Sequence, residues 1–110
     1  MNEDPITALF RKADMLEVAL SESVKRGLAL AEAERDYRIA LAEKMLILRG
    51  ESQPATLVGD LARGDREVAM AKFNRDCAEA VYDSSREAIN VYKKEIDVLR
   101  EQIEREWSRA

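Results

Sequence analysis

Apolar residues recur along the first half of this chain at steps of three, four or their sums: Leu9, Ala13, Leu16, Leu20, Leu30, Tyr37, Leu41, Met45 and Leu48. Period-two alternation is absent. Residues three and four apart share one side of a 3.6-residue turn, so this spacing describes an α-helix with one apolar face. Asp4 suits the N-cap, and Pro5 suits the first helical position, where its missing N–H would have no partner anyway. The pattern predicts a first helix over residues 5–49. Its roughly 44 residues would extend about 66 Å, with Gly50 placed to end it as a left-handed C′ residue.

The same spacing returns at Val68, Ala71, Cys77, Ala78, Val81, Ser85, Ala88, Tyr92, Ile96, Leu99, Ile103 and Trp107. It predicts a helix over residues 65–108, with Asp65 as its N-cap and Glu67 in the first turn, where negative charge suits the helix dipole. Between the two, "GESQP" breaks the pattern. Pro54 then opens a short helix, "PATLVGDLAR" at 54–63, ended by Gly64. The expected fold is all-α: a single domain over residues 1–110, built as a long antiparallel helical hairpin with a short helix at its tip. Aligning the ends pairs residue i with 115 − i, which sets Ala8 and Phe10 against Trp107 and Gly27 against Ala88. Small residues midway (Ser23, Gly27 and Ala31; Ala78, Ser84, Ser85 and Ala88) favour close approach there. The stripe through Leu16, Leu20, Val24, Leu28, Leu30 and Ala31 is broader than one hairpin covers. Since helices draw most of their stability from packing, a homodimer closing a four-helix bundle is expected.

Composition agrees with helices: 46% of residues are apolar and 36% charged, with four Gly and two Pro. The net charge of −4 runs against general nucleic-acid binding, which favours a basic excess. Twelve Arg and six Lys leave room for a local basic site, and Arg is the better partner for carboxylate or phosphate. One cysteine, Cys77, excludes an intramolecular disulfide. No apolar run approaches the roughly 18 residues of a membrane span, and "MNEDPITALF" starts acidic, unlike a signal peptide. A reducing cytoplasm, without membrane attachment, is the expected setting.

With no histidine in the chain, Cys77, Ser84 and Ser85 have no imidazole base, and Cys77 has no soft partner for a metal. The acidic pairs Glu32/Asp36 and Glu101/Glu104 read as solvated faces. A carboxylate di-metal bundle would add Glu-x-x-His pairs. Catalytic and metal-ligating residues are therefore not expected, nor a cofactor. "RGD" at 63–65 lies between two helices, in a chain without a secretory signal, and reads as a chance tripeptide. Two binding candidates remain. At the tip, Arg63 and Arg66 flank Gly64 just before a helix N-terminus, whose N–H groups suit an anion; Lys44, Arg49, Lys72 and Arg75 lie nearby. Asp60 and Asp65 would oppose an anion there, so a turn with its own Asp–Arg pairing is the competing reading. On the stalk, Tyr37 and Arg38 face Tyr82 and Arg86 in the expected register. These four either line an interfacial pocket, with a Tyr stacking on a ring and the arginines holding phosphate or carboxylate, or form register-fixing pairs such as Glu34–Arg38.

The segment "TLVGDLARGDREVAMAKFNRDCAEAVYDSSREAIN", followed by "IEREW", resembles small helical proteins encoded in early, non-structural gene regions of phages and prophages of Gram-positive bacteria. The likeness covers the C-terminal half, and the first helix by pattern alone. It rests on a helix-tip signature that carries no catalytic residues. It implies phage accessory biology: support of DNA recombination or replication, or defeat of a bacterial host's defence.

Two functional expectations follow. The first is a non-enzymatic counter-defence protein that sequesters a small anionic host molecule, such as a signalling nucleotide, in an Arg/Tyr-lined pocket of a helical oligomer. The alternative is a coiled-coil adaptor or inhibitor gripping a host or phage protein. Because neither a disulfide nor a metal set is legible, chelator and reductant should leave the melting temperature unchanged. Loss of several degrees on adding EDTA, followed by circular dichroism, would expose a metal-binding carboxylate cluster.

Overall fold

The computed structural model describes residues 3–109, and all its regular elements are helices: α1, Pro5–Gly50; α2, Ala55–Arg63; and α3, Arg66–Arg109. Both long helices start where their caps dictate. Asp4 Oδ1 accepts the Ile6 N–H at 3.2 Å, and Asp65 Oδ2 accepts the N–H groups of Glu67 and Val68 at 3.1 and 3.3 Å. These are the donors that a helix N-terminus leaves without intrahelical partners.

The end of α1 differs from expectation. Gly50 stays helical, and the left-handed residue is Ser52, with φ 66°. The N–H of Gln53 reaches the carbonyl of Leu48 at 3.1 Å, and that of Ser52 reaches Arg49 at 3.0 Å. These two bonds make a Schellman motif, in which Ser52 occupies the position glycine usually takes. At the end of α2, Gly64 keeps right-handed angles, φ −82° and ψ −8°. Neither glycine is used for left-handed backbone.

The chain packs as two compact units, Met1–Lys25 with Asp83–Ala110, and Arg26–Tyr82. In the first, the start of α1 lies against the end of α3, burying Ala8 and Ile89. In the second, α2 folds onto the end of α1. Val58 and Ala62, one turn apart on α2, pack with Leu48, backed by Leu41 and Met45, and Val68 of α3 is buried as well. Inward positions of α3 recur every seventh residue, at Val68, Arg75, Tyr82, Ile89, Ile96 and Ile103, with a companion series at Ala71, Ala78, Ser85, Tyr92 and Leu99. Such a repeat is the sequence form of a coiled-coil seam.

The register is a second correction. Within the Arg26–Tyr82 unit, Gly27 lies under the Tyr82 ring, Glu34 faces Arg75 and Lys44 faces Asp65, so residue i stands opposite 109 − i. Gly27 therefore meets Tyr82, six residues before the expected Ala88. The register follows from where the chain turns, with α2 wedged on Leu48, and not from alignment of the termini. At the other end, Trp107 shares a shallow groove with Ile6 and Ile103.

A Cβ at residue 50 would meet nothing within 4 Å, whereas one at residue 27 would lie 3.2 Å from the Tyr82 ring. Gly50→Ala should therefore raise stability by about 0.5–1 kcal/mol, a Tm increase on the order of several degrees. Gly27→Ala should gain less or lose. Ser52→Gly should also raise Tm, by relieving left-handed backbone at a non-glycine residue. Thermal melts of the three variants check the C-terminal geometry of α1, and a Gly50→Ala variant less stable than the parent would contradict it.

Candidate functional site

The polar residues of the stalk form one connected group in the Arg26–Tyr82 unit. Arg75 occupies an inward position of α3, one heptad after Val68 and one before Tyr82. Its guanidinium carbon lies 5.6 Å from the centroid of the Tyr37 ring, close enough for a cation–π contact. Its Nε lies 3.1 Å from Asp76 Oδ1 and 3.4 Å from Glu34 Oε2, and Nη1 lies 3.8 Å from Glu79. That Nε is buried and makes no hydrogen bond of good geometry, so the carboxylates hold it by charge and proximity. Glu34 also accepts a hydrogen bond from Arg38 Nε at 2.8 Å, and Asp76 accepts one from Lys72 at 2.9 Å. Glu34 is thus shared between an arginine on its own helix and one across the seam.

The expected site residues do not converge as drawn from sequence. Arg38 is bonded to Glu34, and the cation over Tyr37 is Arg75, expected instead near the tip. Tyr82 packs its ring against Gly27. Arg86 lies at an exposed position in the other unit. At the tip, Arg63 pairs with Asp60 at 3.5 Å and Arg66 is exposed. The Asp65 carboxylate already occupies the first N–H groups of α3 and lies 3.4 Å from Lys44. An anion at that helix start would have to displace it.

The Met1–Lys25 and Asp83–Ala110 unit repeats the stalk pattern. Lys12 sits 5.6 Å from the centroid of the Tyr92 ring and pairs with Glu95. Each unit therefore places a cation at an inward position, over a tyrosine of the facing helix and beside a glutamate. The signal was available in the sequence, because Lys12, Glu34, Lys44, Arg75 and Glu95 fall in phase with the apolar stripes. A charge in a seam disfavours shifted pairings, since slipping the helices would part it from its partner.

Electrostatics follow the contacts. The Arg38 hydrogen bond, with the nearby Arg75 charge, holds the Glu34 carboxyl below its ordinary 4.5. The Val68 N–H foremost, then Lys44, lowers Asp65 from 3.8. The Lys72 hydrogen bond lowers Asp76 from the same value. Among the described residues, no group of three or more acidic or cysteine side chains is arranged to hold a metal ion, and no helix is long and apolar enough to cross a membrane. Shallow apolar grooves lie elsewhere. One, of about 500 Å³, lies between α1 and α2 and is lined by Ala42, Met45, Leu46, Arg49, Ala55 and Val58. What the stalk cluster can do chemically is stack, pair and fix register. No protein-family model matches the chain, and comparisons with curated proteins and with solved structures find no match.

Carboxylates with lowered pKa stabilise the fold above their unfolded values, and that contribution is lost as pH falls through the folded ones. The melting temperature should therefore decline below about pH 4. Asp65→Asn should begin from a lower Tm and lose less on acidification. A parent and variant whose Tm difference stays constant between pH 7 and pH 3 would contradict the Asp65 assignment.

Proposed function

We propose that this protein acts by binding other helices, as a self-assembling coiled-coil adaptor or inhibitor of a protein partner, without chemistry of its own. The observation that carries the reading is the exposed apolar surface. Phe10, Val18, Val24 and Leu28 on α1, Leu57 and Leu61 on α2, and Met70, Phe73, Val91 and Val98 on α3 are all exposed. Exposed apolar side chains in such number suit a surface that binds a partner. Dimerisation into a four-helix bundle would cover part of it, leaving the rest for a partner that presents an amphipathic helix.

Sequestration of a small anion has less support. A phosphate on the stalk would compete with Glu34 for Arg38 and Arg75, and one at the tip with Asp65 for the helix N–H groups. The phage accessory setting is carried by the resemblance of the tip and last helix, and either binding mode suits it.

A nucleotide panel read by thermal shift separates the two. A ligand at a hundredfold excess over its Kd adds about 2.7 kcal/mol, a Tm rise on the order of 10 °C for a chain of this size. The adaptor reading expects no such shift, a dimer by light scattering, and capture of one specific partner that Leu57→Glu or Leu61→Glu weakens. A nucleotide that raises Tm in the parent but not in Arg38→Ala would replace it with sequestration.

A further inference from the structure

Besides its inward stripe, α3 carries a second one. Met70, Cys77, Ser84, Val91 and Val98 recur at intervals of seven along one unbroken helix. Each precedes a member of the inward series Ala71, Ala78, Ser85, Tyr92 and Leu99, so the stripe lies about 100° around the helix from them. All five are uncharged and exposed, with Met70 at 56% and Val98 at 59%. Phe73 and Val81, also exposed, broaden it toward its N-terminal end. A helix with two seven-residue seams is shaped to pack against a second supercoiled helix as well as the one it already touches.

The surface area says how much is left to cover. The chain exposes 8250 Å², whereas a folded monomer of 12.5 kDa typically exposes about 6,200 Å². The excess, about 2,000 Å², matches what one protomer gives up in an obligate homodimer, where the two partners together bury roughly 2,000–5,000 Å².

The stripe is also self-complementary. If two copies of α3 run antiparallel about Ser84, Met70 meets Val98, Cys77 meets Val91, and Ser84 meets Ser84. Every stripe residue then faces another, and the smallest side chain sits where the two-fold axis brings identical residues together, as an isologous interface requires. We infer that the occupant of this stripe is a second copy of the chain, docked α3 to α3 in antiparallel fashion about Ser84. This rests on the self-assembly reading above and names its seam.

The geometry sets distinct outcomes for two experiments on the full chain. In the first, Ser84→Cys in a Cys77→Ser background should form a disulfide-linked dimer under mild oxidation, because the paired Cβ atoms approach bonding range. The parent's Cys77 should not cross-link to its own mate, which lies fourteen residues and about 21 Å away along the helix. In the second, sedimentation equilibrium should show Met70→Glu weakening the dimer at least tenfold with helical content retained, and Val98→Lys added to it restoring association by returning opposite charges to facing positions. Phe10→Glu, on α1, should leave the dimer unchanged. A parent that sediments as a monomer overturns both the seam and the self-assembly reading. A dimeric parent in which Ser84→Cys fails to cross-link, or Met70→Glu leaves association intact, overturns the seam alone. Loss of the dimer in Phe10→Glu instead assigns the contact to α1.

Discussion

In each unit the α1–α3 seam is narrow. On the α3 side it offers Val68, Tyr82, Ile89, Ile96 and Ile103 at one position of the repeat and Ala71, Ala78, Ser85, Tyr92 and Leu99 at the other. The companion series is mostly small or polar. Two helices that meet along such a line exclude water from little more than one face each, and among the described residues only Ala8, Leu48, Val58, Ala62, Val68 and Ile89 are buried apolar ones. The remaining features of the molecule are ways of living with that constraint.

One is the placement of charge inside the seam. An apolar line with little bulk discriminates weakly between registers, because a slip of one heptad replaces one set of apolar contacts with another. Arg75 with Tyr37 and Glu34, Lys12 with Tyr92 and Glu95, and Lys44 with Asp65 make such a slip costly. Surface ion pairs contribute little to stability. Their value here is specificity, in the manner of a polar residue at a coiled-coil core position. The other is the apolar surface left outside, on which the proposed self-assembly draws.

Much of the architecture was legible from spacing alone. Helix type, the three elements and their starts at Asp4 and Asp65 follow from local rules: a side chain that can accept the first free N–H groups, then an apolar period near 3.6. Helix ends were less legible. Glycine is the commonest left-handed residue, but Ser52 takes that role: α1 runs on through Gly50, and the closing bonds to the carbonyls of Leu48 and Arg49 put the left-handed residue two positions later than composition indicates. The stalk site was legible on its α1 side and not on its α3 side, where Arg75 stands in place of Tyr82 and Arg86. Tyr37, Glu34 and Arg38 do form a cluster, yet a six-residue error in register exchanged Arg75 for the region of Val81 and Tyr82.

Local sequence determined which residues are helical, where the helices begin, and that apolar surface would exceed what two helices can hide, since each of these depends on neighbours within a few turns. Tertiary structure alone decided which residues face one another across the seam. Register depends on how α2 packs against Leu48 and on where the turn at Ser52 falls, and a shift of a few residues there changes every partner along both helices while leaving the local pattern of each untouched.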